Sequence, residues 1–218
     1  MKKIFLLLFV LLPANISFPQ EVNEIRGSMG IDFLSVPSVQ DYINQSRFAP
    51  ADNQVGDFSS AVNFSGAYGR MLSENYQLAA EIGYLIYSYA STDITGRYDL
   101  TFTSIMPSIL NYYVITGNGY NFKFGGGAGI RFISADELLP GRPSKTNYSS
   151  TGFGLILRAE ANTLLGGKVY AHIGTDLRYD INGEPENNGE TLYNTTLKEN
   201  VNFNSLSFGI RLGLSYIF

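Results

Sequence analysis

Apolar and polar positions alternate without a break in the last part of the chain, from Leu206 to Phe218. One face of this segment carries Leu, Phe, Ile and Tyr side chains. The other face carries mostly small or polar side chains and one arginine, Arg211. Because successive side chains of a β-strand point to opposite faces, this segment is predicted to be a strand with one continuous apolar face. We interpret that face as one that contacts lipid.

Seven upstream segments show the same alternation and are predicted strands, at about residues 25–35, 58–72, 76–90, 98–115, 120–135, 150–164 and 169–180. The fourth is the least regular, since Pro107 cannot donate a ladder hydrogen bond and predicts a bulge or a change of register. Long and short connections alternate, and residues 91–97 are predicted to be one of the long ones. In the first long connection, Ser38 is predicted to cap a short helix that runs through Asn44.

Eight alternating strands with this asymmetry predict an all-β fold, an eight-stranded antiparallel up-and-down transmembrane β-barrel with short periplasmic turns and long extracellular loops. Thirteen residues at about 3.4 Å each, tilted by about 45°, rise roughly 31 Å, which covers an apolar band about 25 Å tall. Aromatic girdles are expected at both strand ends. The residues expected in them are Tyr68, Tyr76, Tyr113, Tyr120, Tyr216 and Phe218 at the periplasmic end and Tyr89, Tyr98, Tyr148 and Tyr179 at the outer end.

Residues 1–20 have the features of a secretory signal peptide, with Lys2 and Lys3 before a short apolar core that ends at Pro13. Cleavage after Ser17 or after Gln20 is expected, which leaves residues 21–218 as the barrel domain. No later apolar run approaches the length of a spanning helix. The chain has a formal net charge of −4 and no cysteine, which argues against a nucleic-acid partner and excludes disulfides.

Charged side chains fall on the faces predicted to point into the barrel. An eight-stranded barrel is only wide enough to be filled by its own side chains, so these groups are predicted to form a structural network of ion pairs and bound water. Its predicted members are Arg26, Asp32, Glu81, Lys123, Arg131, Arg158, Glu160, His172, Asp176, Arg178 and Arg211. The alternative is a narrow or gated path for small ions or solutes.

His172 is the single histidine of the chain and is the natural candidate for catalysis or metal binding. A metal site usually needs several N, S or O ligands, and a catalytic histidine needs an activated serine and an orienting carboxylate. Gly174 stands where the H-x-S arrangement of some outer-membrane lipid A deacylases would require serine. We therefore expect no catalytic, cofactor or metal residues, with a lipid-modifying enzyme as the less favoured alternative.

The chain resembles small eight-stranded outer-membrane proteins of the OmpA/OmpX-like barrel class. The resemblance rests on the signal, the eight alternating segments, the glycine-rich stretch 124–132 and the C-terminal residues Leu214, Tyr216 and Phe218. It implies that these three residues act as a signal for the outer-membrane barrel assembly machinery, and that outer-membrane lipid and lipopolysaccharide surround the barrel. The implied function is non-enzymatic, in envelope integrity or in surface interaction through the extracellular loops.

A soluble barrel such as a lipocalin is the main rival fold, with its apolar face turned inward around a ligand. That arrangement would place the charged faces outside. The chain also contains no tryptophan, whereas lipocalins usually carry a glycine-x-tryptophan motif near the first strand. The membrane barrel is therefore favoured.

Overall fold

The computed structural model describes residues 22–45, 54–93 and 96–218, so the predicted signal peptide and its cleavage sites lie outside the described residues. Each of eight long strands pairs antiparallel with its neighbours in the chain, and the last pairs with the first, which closes the ring. The strands are β1 (Asn23–Ser35), β2 (Ser59–Ser73), β3 (Tyr76–Asp93), β4 (Gly96–Gly117), β5 (Tyr120–Leu138), β6 (Thr146–Gly166), β7 (Val169–Asn182) and β8 (Ser205–Ile217). The predicted up-and-down barrel is confirmed.

The two ends of the barrel differ in their connections. At one end, which we call the turn end, residues 74–75, 118–119 and 167–168 join consecutive strands. At the opposite, loop end, residues 36–58 contain helix α1 (Pro37–Gln45), and residues 139–145 and 183–204 form the next two connections. The last of these carries two small hairpins, in which Glu186–Asn187 pairs with Glu190–Thr191 and Tyr193–Asn194 pairs with Glu199–Asn200.

The prediction of a long connection at residues 91–97 is wrong. The ladder between β3 and β4 continues until Asp93 stands opposite Gly96, so most of residues 91–97 belong to strands. These two strands, together with β5 and β6, run well beyond the point where β1 and β2 end. One side of the barrel is therefore longer than the other at the loop end.

The prediction of a bulge or register change at Pro107 is also wrong. The ladder between β4 and β5 is interrupted there, but Ile105 opposite Phe132 and Ser108 opposite Gly129 share one register. In that register Ile130 stands opposite Pro107, which has no N–H to donate. Arg131 Nη1 instead donates a hydrogen bond of 3.0 Å to the carbonyl oxygen of Ile130. A side chain thus replaces the missing ladder bond and the register is kept.

Exposed Leu, Ile, Val, Met, Phe and Tyr side chains cover the outside of all eight strands and form what we call the apolar belt. On β4 the belt runs from Ile105 to Ile115, a rise of roughly 24 Å at the usual strand spacing and tilt. The outward faces predicted for the strands are therefore confirmed. Tyr179 and the six aromatic residues predicted at the turn end are also exposed on the outside.

The polarity of the two strand faces is exchanged above the belt, toward the loop end. There the outward positions become polar, as at Thr103, Ser134 and Asn147. The inward positions become apolar and form a packed cluster, the apolar plug, at the loop end of the interior. Its buried members are Leu34, Val36, Val39, Tyr42, Ile43, Val55, Ala61, Leu85, Tyr87, Tyr98, Leu100, Phe102, Met106, Ile133, Ala135, Leu192, Val201 and Phe203. The loop half of the molecule thus resembles the core of a water-soluble barrel.

Helix α1 covers the plug. Its buried residues are the predicted apolar face, Val39, Tyr42 and Ile43. The helix begins at Pro37, and the hydroxyl of Ser38 accepts a hydrogen bond of 3.1 Å from the backbone N–H of Asn202. The predicted capping role of Ser38 is therefore wrong: this residue joins the helix to the last long connection. Within the described ranges, no helix is long and apolar enough to span a membrane.

The outer aromatic girdle is present only in part. Tyr98 is buried in the plug, and Tyr89 and Tyr148 pack against it. The prediction fails for these three tyrosines because the strands extend beyond the belt, where inward positions are apolar.

Close strand approach at Gly127 provides a test of the register of β4 and β5. A Cβ atom there would overlap the carbonyl oxygen of Ile109, whereas a Cβ atom on the outward Gly66 would meet nothing within 4 Å. We expect Gly127→Ala to lower the free energy of unfolding by about 1–3 kcal/mol, as overpacking usually does. Gly66→Ala is the matched control and should leave stability nearly unchanged in urea unfolding from lipid vesicles. Equal effects of the two substitutions would contradict the register.

Candidate functional site in the barrel interior

The structure places all the charged residues that were predicted to face inward inside the barrel, where they are buried: Arg26, Asp32, Glu81, Lys123, Arg131, Arg158, Glu160, Asp176, Arg178 and Arg211. His172 is buried in the same interior. Alternation within each strand positions them, because each has the same parity along its strand as the other inward residues. We call the ion pairs that they form the charge network.

Two acidic members of the network were missed by sequence reasoning, Glu24 and Asp180. Both are buried and ion-paired. Their parity gives the signal that would have found them: Glu24 precedes Arg26 by two residues on β1, and Asp180 follows Arg178 by two residues on β7. Asp180 is the last residue of the predicted strand 169–180, and Glu24 lies one residue before the predicted strand 25–35, which begins at Asn23 in the structure.

The layer of the network at the turn end is centred on Glu24. Its carboxylate pairs with Lys123 and accepts a hydrogen bond of 2.8 Å from Gln77 Nε2. This layer forms the floor of a cavity of about 390 Å³ that opens at the turn end and is otherwise lined largely by apolar side chains, including Met71, Val114 and Ile217. The Glu24–Lys123 pair thus separates the cavity from the rest of the interior.

The central layer joins carboxylates on β3 and β6 to arginines on β1 and β6. Arg158 donates to both oxygens of Glu81, with Nη2 2.9 Å from Oε1. Arg26 pairs with Glu160 and lies 3.4 Å from Glu81. The hydroxyl of Tyr112 donates a hydrogen bond of 3.0 Å to Glu160. Each carboxylate therefore has at least two donors, as a buried charge requires.

The layer nearest the plug contains a bidentate ion pair and a carboxylate that bridges two arginines. Arg211 donates to both oxygens of Asp176 through Nε (2.6 Å) and Nη2 (3.1 Å). Arg178 donates to Asp32 at 2.8 Å. Asp180 accepts hydrogen bonds from Arg178 Nε at 3.0 Å and from Arg131 Nε at 2.6 Å. Two of these contacts tie non-neighbouring strands together, Arg178–Asp32 between β7 and β1 and Arg131–Asp180 between β5 and β7.

Charges balance within the charge network. Arg26, Lys123, Arg131, Arg158, Arg178 and Arg211 are accompanied by six carboxylates, those of Glu24, Asp32, Glu81, Glu160, Asp176 and Asp180. Within the network, cations and carboxylates are therefore equal in number. The arrangement is chemically suited to filling and cross-linking the barrel.

In the described part of the chain, the hydrogen-bond partner of His172 is an asparagine. The Nδ1 atom of His172 is 2.9 Å from Oδ1 of Asn162, whose Nδ2 donates to Asn121 at 2.7 Å. The hydroxyl of the nearby Ser215 bonds to the same Asn162 oxygen at 3.3 Å. A triad would need the serine hydroxyl to bond the imidazole. Among the described residues, no group of three or more His, Asp or Glu is placed to hold a metal ion.

A second polar cluster lies at the loop end and was not predicted, since Glu137 was assigned to a connection. Glu137 is on β5 and is only 2% exposed. Its Oε1 accepts hydrogen bonds from the hydroxyl of Tyr42 on α1 (2.7 Å) and from that of Tyr98 on β4 (3.2 Å). Burial raises the pKa of Glu137 above its usual range, while the two hydroxyls and Arg142 oppose the rise. Burial also raises the pKa of Tyr42 and Tyr98, so both remain donors at neutral pH.

A double-mutant cycle at Arg211 and Asp176 measures the strength of the network. Arg211→Met should destabilise the barrel by about 3–5 kcal/mol, because it leaves the carboxylate of Asp176 buried without its main partner. The double variant Arg211→Met/Asp176→Asn should cost less than the sum of the single changes. The exposed Lys145→Met is the control and should cost about 0.5 kcal/mol or less in the same unfolding assay. Additive effects would mean that the pair contributes nothing.

No family model matches the chain, and no curated protein matches it in sequence. Two solved structures are similar to it in fold. Neisserial surface protein A (NspA) is 15% identical, with 89% of this chain and 96% of that chain covered and a TM-score of 0.52. Ail, the attachment invasion locus protein of Yersinia pestis, solved with the heparin analogue sucrose octasulfate, is 12% identical, with 90% and 99% covered and a TM-score of 0.50. The chain therefore has the fold of the small eight-stranded outer-membrane β-barrel proteins.

Proposed function

We propose that this protein is an exported, integral outer-membrane barrel that conducts no solute and acts through its extracellular end, in envelope integrity or in surface interaction. The apolar belt supports residence in a bilayer, since each outward side chain there would contact lipid. The proposed orientation puts the turn end in the periplasm and the loop end outside, as short periplasmic turns and longer extracellular loops are the rule in such barrels.

The observation that carries this proposal is the double closure of the interior. The charge network crosses the barrel within the belt, and the apolar plug fills it above the belt. Two small spaces at the plug each hold about 10 Å³, about the volume that one water molecule needs. An ion would have to break several buried ion pairs and then cross an apolar layer.

Planar bilayer recording tests the closed interior. The refolded protein should show no stable open level over a wide voltage range, whereas a porin reconstituted in parallel should. A stable, voltage-independent pore would overturn the proposal and favour the alternative of a narrow ion or solute channel.

A lipid-modifying enzyme is a weaker second candidate. It would need serine, histidine and a carboxylate at one depth on a surface that lipid can reach. His172 faces the interior and bonds to an asparagine, so no observation favours this activity.

The proposed surface role concerns a partner other than a polyanion. Ail was solved with a sulfated heparin analogue, but the described residues of the loop end here expose more acidic than basic side chains. The exposed acidic residues include Asp41, Asp57, Glu184, Glu186, Glu190 and Glu199, against Arg97, Arg142, Lys145 and Lys198. Like charges repel, so a neutral or cationic ligand, or lipopolysaccharide bridged by divalent cations, fits this rim better.

Leu214 and Tyr216, on the outward face of β8, and Phe218, directly after that strand, are proposed to guide assembly. Their side chains are exposed, and the ring centroids of Tyr216 and Phe218 are 5.5 Å apart. The backbone of Phe218 pairs with Asn23 through hydrogen bonds of 2.7 and 2.8 Å, so a side-chain change leaves this closure intact. Assembly and folding can therefore be tested separately.

Phe218→Ser should lower the amount of folded protein in the outer-membrane fraction severalfold while leaving refolding in detergent unchanged. Folded barrel is measured by its different gel migration with and without boiling. Phe208→Ser, at a mid-belt position of the same strand, is the matched control and should not impair targeting to the same extent. Equal effects of the two changes would contradict an assembly role, and wild-type protein found only in the soluble periplasm would contradict the proposed location.

A further inference from the structure

We propose that α1 and its flanking segment form a pH-responsive lid on the loop end of the barrel, controlled by the ionisation of Glu137. The lid consists of residues 36–45 and 54–58. The proposal is independent of whether the barrel conducts or binds a surface ligand, because it rests on how the lid is attached to the barrel.

The polar contacts of the lid fall into two groups. Some hold the lid segment to itself: the Nδ2 and Oδ1 atoms of Asn44 bond to the carbonyl and N–H of Val55 at 3.0 and 2.9 Å, and Gln40 bonds to Val55 and Asp57. Others join the segment to the barrel, among them the hydrogen bond from the hydroxyl of Tyr42 to Glu137 and the one that the hydroxyl of Ser38 accepts from Asn202. The lid segment is therefore held together by its own hydrogen bonds, while its buried apolar residues pack in the plug.

Glu137 is the titratable group of the barrel to which the lid is hydrogen-bonded. Tyr42 from the lid and Tyr98 from β4 donate to the same carboxylate oxygen. Arg142 from the next connection and Tyr148 from β6 also interact with it electrostatically. Tyr89 from β3 packs against Tyr98 with its ring tilted and the ring centroids 6.3 Å apart. The surrounding plug is apolar, so the ionised form of Glu137 is poorly solvated there.

The sign of the pH effect follows from burial. The closed state holds Glu137 away from water and favours its neutral form, which raises its pKa, whereas an open lid lets water solvate the carboxylate. The closed state therefore binds the proton more tightly than the open state does. Opening releases a proton, so the lid is held at acid pH and loosened as the pH rises through the interval between the two pKa values. Above that interval the effect is constant.

Hydrogen exchange of the α1 amides in the full-length barrel, refolded in lipid vesicles, measures this opening. The amide of Gln40, which bonds to the carbonyl of Val36 at 3.0 Å, is a suitable reporter. After correction for intrinsic base catalysis, protection in the wild type should fall by up to about tenfold per pH unit, the slope for release of one proton. In Glu137→Gln, which keeps an acceptor but cannot ionise, protection should not depend on pH.

Glu186→Gln removes an exposed carboxylate from the same end of the barrel and is the matched control, which should behave as the wild type does. A wild-type profile without pH dependence, or the same slope in Glu137→Gln, would overturn the proposal.

Tyr42→Phe provides a second test that does not depend on the folding of Glu137→Gln. Without the donor from Tyr42, the ionised closed state loses more than the neutral one, because hydrogen bonds to charged groups are the stronger ones. Protection of α1 should therefore decrease more at pH 8 than at pH 5. An equal decrease at both pH values would mean that Tyr42 holds the lid without reference to charge, and would also overturn the proposal.

Discussion

The width of an eight-stranded barrel is the constraint on which the rest of this structure depends. The interior is just wide enough for side chains, so side chains fill most of it, and their chemistry has to suit what surrounds them. Within the apolar belt the outside is apolar and the inside is charged. Above the belt the outside is polar and the inside is apolar. One set of strands thus runs through two environments, and each half places its polar groups where they can be satisfied.

Ion pairs are an expensive way to fill a membrane-spanning interior, because each charge loses its hydration. Here the cost is offset by multiple donors on each carboxylate and by contacts between strands that are distant in sequence. Arg26 on β1 reaches Glu160 on β6, and Arg178 on β7 reaches Asp32 on β1. Arg131 has an additional role, since it bonds to the carbonyl of Ile130 opposite Pro107. The network therefore fixes the barrel across its diameter as well as along its ladder.

In the extracellular orientation that we propose for the loop end, the plug and its lid share one role. An apolar core covered by a short helix can exclude water from the top of the charge network, and Glu137 makes this cover sensitive to protons. Its position is unlike that of the network carboxylates, which pair with arginine or lysine. Glu137 relies on two tyrosine hydroxyls, so its charge is only partly compensated and the energy of the closed lid depends on its protonation.

Much of the fold was predictable because strand alternation is local. Parity assigned the outward residues of β8 and the inward arginines. The same rule identifies Asp180, the last residue of a predicted strand, and Glu24, one residue before another. Interior membership follows from parity alone, but pairing does not. Whether Arg211 meets Asp176 or Glu160 depends on the stagger between strands around the closed ring, which no single segment encodes.

The sequence by itself determined that eight amphipathic strands have one face for lipid and one for a polar interior, because period-two patterning needs only neighbouring residues. Only the tertiary structure decided where that rule reverses. Tyr98, Leu100 and Phe102 carry the same parity as inward residues within the belt, yet the apolar side chains that surround them come from α1, β3, β5 and the last long connection. Their role in a plug, and the burial of Glu137 beneath a lid, depend on strand length beyond the belt and on which connection folds back over the open end.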